Sequence, residues 1–188
     1  MTPSSSDWPT RPAEGPTSQV AATDEALGRK HQTSVRTARV SDTQELDRLR
    51  ALAAVHISNE RGGEVALLQE FADVSAIAEL GQGHSSPAHL VLLALISEEI
   101  VGYCAAVAVQ CSDEFTICQI RELFVESEVR EIGIGEMLMD SLTEWALEKG
   151  CAGIDATAMP GDRETKNFFE TFGLVARAIT VHRDLRER

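Results

Sequence analysis

The stretch Arg121–Leu142, "RELFVESEVREIGIGEMLMDSL", decides how this chain folds. A β-rich run ending at Val125 gives way to an arginine and two glycines, Arg130, Gly133 and Gly135, and then to an apolar helical pattern. Strand, glycine loop and helix in that order make either a flexible turn or a phosphate cradle. The cradle has a physical basis: backbone N–H groups at a helix N-terminus face outward, and the helix dipole adds positive potential. Glycines let the backbone approach a pyrophosphate closely.

Two familiar phosphate loops fit poorly. A Walker loop ends in G-K-[ST], and "GIGEML" has none. A dinucleotide fingerprint finds its first two glycines in Gly133 and Gly135, and Asp155 stands near the distance of a ribose-binding acid. However, Leu138 occupies the third small position, "ESEVREI" separates Val125 from the first glycine, and Asp155 begins its strand rather than ending it. A nicotinamide oxidoreductase is thus a remote alternative.

Working outward, "HLVLLALI", "EIVGYCAAVAV" and "FTICQIRELFV" read as successive strands joined by the short polar links "SEE" and "QCSDE", hence antiparallel hairpins. The first two are almost continuously apolar and should lie centrally, buried on both faces. Before them, "SVRTARV" reads as a strand. A helix follows with Leu46, Leu49, Leu52 or Ala53 and His56 at helical spacing, with Ser41 or Asp42 as cap and Glu45 completing a capping box. A second helical pattern runs from about Val65 to Leu80. After the glycine loop come a helix to Lys149, a strand "AGIDATAM", a helix "DRETKNFFETF" and a last strand "VARAITVHRDL". The order is β-α-α-β-β-β-α-β-α-β, an α/β (α+β) fold with a mixed, mostly antiparallel central sheet flanked by helices. Residues 1–34, rich in Pro, Ser and Thr, read as a disordered tail with a short helix near Asp24–Lys30 and a lone Trp8; residues 35–188 form one domain.

Of the 188 residues, acidic groups outnumber basic ones to give a net charge of -13, which argues against a nucleic-acid partner. The acidity weakly favours a cationic small substrate. Cys104, Cys111, Cys118 and Cys151 form no C-x-x-C pair and no histidine stands at metal spacing, so reduced thiols and no metal are expected. No membrane-length apolar run and no secretory leader are present, which suits a soluble cytoplasmic protein.

The Arg130, Gly133, Gly135 spacing between strand and helix resembles the R-x-x-G-x-G/A acetyl-CoA signature of the GCN5-related N-acetyltransferase (GNAT) family. The Gly102–Tyr103 pair after the tight turn and the Phe172–Gly173–Leu174 corner near the end also resemble that family, and the likeness covers about Val35 to Leu185. The resemblance implies an acetyl-CoA-dependent N-acyltransferase, with acetyl-CoA as cosubstrate, a primary amine as acceptor and a homodimer as a plausible assembly. It also implies that the strands flanking the glycine helix splay apart to take pantetheine. Main-chain N–H groups near Phe124 or Val125 would then hold the thioester carbonyl, and Arg130, Glu131, Ile132, Gly133, Ile134, Gly135 and Asn167 would hold the rest of the cofactor.

Glu122 is a candidate base for the attacking amine, because strand alternation places it with Ile120 and Phe124 in an apolar setting. A structural carboxylate paired with a neighbouring cation is the competing reading. Asp155 is a second candidate. At the position where many family members carry an acid tyrosine stands Phe169, which cannot donate a proton; Tyr103, the chain's only tyrosine, is a weak substitute and reads equally well as a core aromatic. A thiol leaving group can depart as thiolate without an acid. Phe169 also motivates a different class of function, a non-catalytic coenzyme A-binding domain. Glu60, Glu64, Glu70 and Asp73, with His56 and His84 nearby, could steer a cationic amine, though solvated helix faces explain them as well.

Overall fold

The computed structural model describes residues 32–69, 71, 75–81, 83 and 86–186. Most of the expected tail, including Trp8 and the helix near Asp24–Lys30, lies outside the described residues, as do Glu70, Asp73 and His84.

Five strands form one sheet in sequence order: β1 (Thr33–Thr37), β2 (His89–Ile96), β3 (Glu99–Ser112), β4 (Phe115–Val125) and β5 (Gly153–Asp155). The first three pairings are antiparallel and β4–β5 is parallel, as a crossover through a helix requires. The tight link between β2 and β3 turns through Ser97 and Glu98, both at positive φ (48° and 75°). Consecutive left-handed residues match the twist of a hairpin. The mixed, mostly antiparallel sheet expected from the apolar runs and their short polar joints is therefore present.

Helices cover both faces. On one lies α4 (Ile134–Glu148), whose Ile134, Leu138, Met139 and Leu142 are at most 1% exposed and pack on Leu92, Cys104, Cys118 and Ile120. On the other lie α1 (Thr43–Ser58) and α3 (Ser75–Gly81), whose Leu46, Leu49, Ala53 and Ile77 pack on Val91, Leu93, Tyr103 and Phe124. The central strands β2 and β3 feed both clusters, which is why they carry apolar residues at successive positions. No described helix is long and apolar enough to cross a membrane.

Three local expectations are corrected. The helical pattern from Val65 to Leu80 is two helices, α2 (Gly63–Leu68) and α3. Gln69 leaves helical geometry at φ -124° and ψ -71°, and Phe71 N–H reaches back to Ala66 O at 3.0 Å, closing the first helix. The residues expected to form the last strand make no ladder among the described residues. The apolar residues there share one parity with Arg177 and Arg183, and Val175, Ile179, Val181 and Leu185 are 73–89% exposed; a strand needs a partner edge as well as a pattern. The final α5 (Arg163–Thr171) and the corner after it are tied down by Leu174 N–H to Phe169 O at 3.2 Å, and Arg177 anchors the following segment on Asp155.

The third correction is at the start of α1, where no capping box with Glu45 forms; Glu45 pairs with Arg48 instead. Asp42 accepts from Arg39 N–H at 2.7 Å and from both Arg36 terminal nitrogens at 2.6 and 2.9 Å, tying β1 to the helix. The Arg36 guanidinium, followed by the Arg39 amide, holds the Asp42 carboxyl below the usual carboxylate range. A depressed folded-state pKa gives stability that is present above the unfolded value, near ~3.9, and is lost as pH falls through the folded one. Asp42→Asn should therefore cost about 1 kcal/mol at pH 7, discounted for the half-exposed arginine, and progressively less toward pH ~2, below the unfolded value. Urea unfolding of both proteins at the two pH values checks this; an equal loss at both would rule out the ionic contribution.

Candidate functional site

The hydrogen-bond ladder on the two sides of β4 has unequal length. Against β3 it continues to Val125; against β5 it ends with Gln119↔Asp155. Beyond that point the strands part, and a cavity of about 70 Å³ opens between them. Its walls come from Ile120, Leu123 and Phe124 of β4, Ala156 and Met159 after β5, Phe169 of α5, and Ala53 and His56 of α1. Glu126 N–H donates to Val101 O at 3.0 Å, which fixes the phase of the antiparallel pair. Alternation then turns the main-chain groups of Leu123 and Val125 toward the open edge. Val125 is thus the better placed of the two expected carbonyl-holding positions.

A β-bulge sits in the same segment. Ala105 pairs with Glu122 and Ala106 with Ile120, so Arg121 has no opposite number. The extra residue changes the parity of β4: Ile120 packs in the α4-side cluster, whereas Phe124 packs in the α1-side cluster. Glu122 keeps company with Phe124 but not with Ile120, a correction to simple alternation. Nor is its setting apolar. Arg50 of α1 donates through Nε to Glu122 Oε2 at 3.1 Å and through Nη2 to Oε1 at 3.3 Å, and Tyr103 Oη donates to Oε2 at 2.9 Å. Glu122 does not reach the cavity wall.

Tyr103 is fully buried, and burial first, then the Glu122 carboxylate, push its phenol above the ordinary range. Such a hydroxyl holds its proton against Glu122 rather than offering it to a leaving group. Asp155 is engaged by Arg177, through Nε at 2.9 Å and through Nη2. The buried Cys118 thiol is pushed up to about 12 by burial.

The glycine loop is built from two different constraints. Gly133 lies at φ 88°, immediately before α4, with open space around its missing Cβ. Its need is conformational. Gly135 is already helical, and a Cβ there would meet the Phe168 ring of α5 at 3.0 Å. Its need is steric, and it comes from the fold. Glu131 also takes a positive φ of 66°, while Ile132 is 59% exposed. No side chain caps α4, whose first intrahelical bond is Met137 N–H to Gly133 O at 3.1 Å. The N–H groups of Ile134, Gly135 and Glu136 are therefore left to face outward.

Arg130 turns inward: its Nε donates to Val125 O at 3.1 Å, its guanidinium lies 5.9 Å from the Phe124 ring centroid, and Nη1 is 3.6 Å from Glu164. It braces the loop against the end of β4. Asn167 stands exposed on α5, one residue before Phe168. The structure thus gathers Phe124, Val125, Arg130 and the glycines at one end of β4, and leaves Glu122 and Tyr103 behind the cavity. Sequence reasoning missed Arg50; its only trace is a charge beside Leu49 on the face that α1 buries.

Residues 51–174 match the sequence profile of the acetyltransferase (GNAT) family. No curated protein matches. Among solved structures, the chain resembles the aminoglycoside N-acetyltransferase AAC(6')-Iy in complex with CoA, at a TM-score of 0.62, 13% identity, and coverage of 85% of this chain and 99% of that one. It also resembles an aminoglycoside acetyltransferase from an uncultured soil metagenomic sample in complex with sisomicin (TM-score 0.59, 20% identity, 81% and 94% covered). A ribosomal-protein-alanine N-acetyltransferase from Brucella melitensis biovar Abortus 2308 gives a TM-score of 0.60 at 17% identity, with 81% and 99% covered. At these identities the likeness is one of fold.

The two glycines should respond differently to a methyl group. Gly135→Ala is expected to cost about 1–2 kcal/mol through overpacking on Phe168, and Phe168→Leu in the same chain should recover most of it. Gly133→Ala should cost about 1 kcal/mol or more through backbone strain, with or without Phe168→Leu. Denaturant midpoints of the four variants and wild type decide; a Gly135→Ala loss indifferent to Phe168 would contradict the packing account.

Proposed function

The chain belongs to the acetyltransferase (GNAT) family, and from that premise we propose that it is an acetyl-CoA-dependent N-acyltransferase acting on a primary amine of a small molecule or peptide. The observation that carries this reading is the one-sided end of the β4 ladder. From Ile120 to Val125 the strand keeps β3 as a partner but has an open edge on the other side, with the cavity beside it. An extended pantetheine with amide groups can use that edge as a strand would. At the end of the edge lie the outward N–H groups of α4, suited to a pyrophosphate.

In this reading Val125 N–H holds the thioester carbonyl and stabilises the oxyanion when the amine attacks. Gly133 and the first turn of α4 take the diphosphate, Arg130 keeps the loop in register with β4, and Asn167 lies close enough along α5 to contribute. Thiolate departure proceeds without a phenol. Two of the solved relatives are aminoglycoside acetyltransferases and one is a ribosomal-protein-alanine acetyltransferase; an amine acceptor is what those activities share. The family match leaves the nicotinamide alternative without support.

A cytoplasmic location fits the four free thiols. A homodimer reading draws on the exposed apolar residues Val175, Ile179 and Val181 after α5, which a second copy could cover. The second functional reading, coenzyme A binding without turnover, is favoured by one observation: Phe169, 7% exposed, presents a ring and no hydroxyl at the cavity wall.

Calorimetric titration with acetyl-CoA tests the reading. Because Gly135 serves packing, the informative change is Ile132→Glu, which places a negative charge on the exposed face of the loop and disturbs no buried contact. We expect its Kd to rise roughly tenfold or more, about 1.4 kcal/mol, with an unchanged melting temperature. Binding indifferent to Ile132→Glu would move the diphosphate elsewhere; no binding by folded wild type would remove the acyltransferase reading.

A further inference from the structure

We propose that His56 of α1 is the group that takes the proton from the attacking amine, an inference resting on the reading of the cleft as the thioester site. The cavity beside β4 offers few groups that could accept a proton. Its polar side chains among the described residues are His56, Arg121, Thr157, Asp162 and Thr165. A guanidinium has no lone pair to accept a proton, and the two hydroxyls are too weakly basic at neutral pH. Asp162 caps α5, its Oδ1 accepting the Thr165 N–H at 2.9 Å, and taking a proton would weaken that cap at the positive end of the helix. Glu122, the obvious carboxylate from sequence, lies outside the wall with both oxygens engaged by Arg50 and Tyr103.

His56 differs from all of these. It is half-buried, lines the cavity together with Phe124 and Phe169, and its ring makes no hydrogen bond among the described residues. Imidazole is the side chain whose ordinary charge change falls between pH 5 and 8, so it can accept a proton near neutrality and return it. The charged groups that face this position are Glu60, one turn further along α1, Arg121 from β4 and Asp162 from the start of α5.

The step balances without any further reactant. The lone pair of a neutral amine attacks the thioester carbon, forming the N–C bond. One amine proton passes to the His56 ring, directly or through one water. Collapse of the tetrahedral oxyanion expels the sulfur with the electrons of the C–S bond, and the imidazolium proton goes to the thiolate. The products are the amide and the thiol, and His56 is again neutral. An acid tyrosine is then dispensable, which gives Phe169 a place in an active enzyme.

Thiol release from acetyl-CoA is measured across pH 5.5–9 (roughly the imidazole range) with an amine panel of ethanolamine, kanamycin and alanine- and lysine-terminated peptides. Wild type, His56→Gln, His56→Ala and Glu122→Gln are compared. We expect the wild-type kcat/KM to fall on the acid side, and His56→Gln to lose about a hundredfold or more at neutral pH together with that acid limb. Its acetyl-CoA Kd and melting temperature should stay at wild-type values, and free imidazole should restore rate to His56→Ala. Glu122→Gln should keep the acid limb. A limb that survives in His56→Gln and vanishes in Glu122→Gln overturns the assignment while leaving the acyltransferase reading intact. Wild type that binds acetyl-CoA yet releases no thiol with any panel member overturns both His56 and turnover.

Discussion

A parallel strand pair that begins with three matched residues and then separates creates the cleft, and most of the remaining structure keeps it from closing. Left alone, the unpaired groups of β4 beyond Gln119 would be an exposed sheet edge, prone to pair with any chain at hand. The fold prevents closure from both ends. Gly135 and Phe168 lock α5 across the start of α4, and Phe169 on the same helix fills the wedge between the diverging strands. On the opposite face, α1 grips β4 with two arginines: Arg48 reaches Glu126 at 2.6 Å and Arg50 reaches Glu122, on either side of the buried Leu49. The edge is open because its neighbours are held apart.

This grip explains why Glu122 of β4 and Glu126 just beyond it turn away from the cleft. Glu122 and Glu126 both lie toward the α1 side and are paired there, so the strand's own carboxylates serve to orient a helix. What α1 gains in return is a fixed rotation, and that rotation is what carries His56 to the cavity wall. The position of His56 is thereby set by ion pairs roughly two turns earlier on the same helix. Among the described residues, removing Arg50 would leave Glu122 with Tyr103 as its partner, which links the aromatic core to the same contact.

Much of this was legible before any coordinates. Strand-length apolar runs with short polar joints sufficed for the antiparallel strands, because β2 and β3 are buried on both faces and their links are minimal. The strand, glycine loop and helix were legible because Gly133 sits where only a left-handed residue fits. Three features were not. Gly135 looks identical to Gly133 in sequence, yet its reason lies in Phe168, far along the chain. The segment expected as a last strand carries Val175, Ile179, Val181 and Leu185 on one parity, interrupted by Arg177 and Arg183, and such a pattern says nothing of whether an edge is there to receive it. Glu122 was misplaced because period-2 counting assumes an unbroken pleat, and the residue that breaks it, Arg121, carries no local mark.

The bulge at Arg121 also bears on how this strand can be compared with others. One unmatched residue makes β4 two half-strands in opposite phase: positions up to Ile120 follow one rule for which side chains meet α4, and positions from Glu122 follow the reverse. An ungapped alignment with a bulge-free strand would equate inward residues with outward ones over half its length, while the letters still looked compatible. Any transfer of residue roles into this segment has to place its gap at Arg121 first, and a one-residue error there exchanges the cleft for the core.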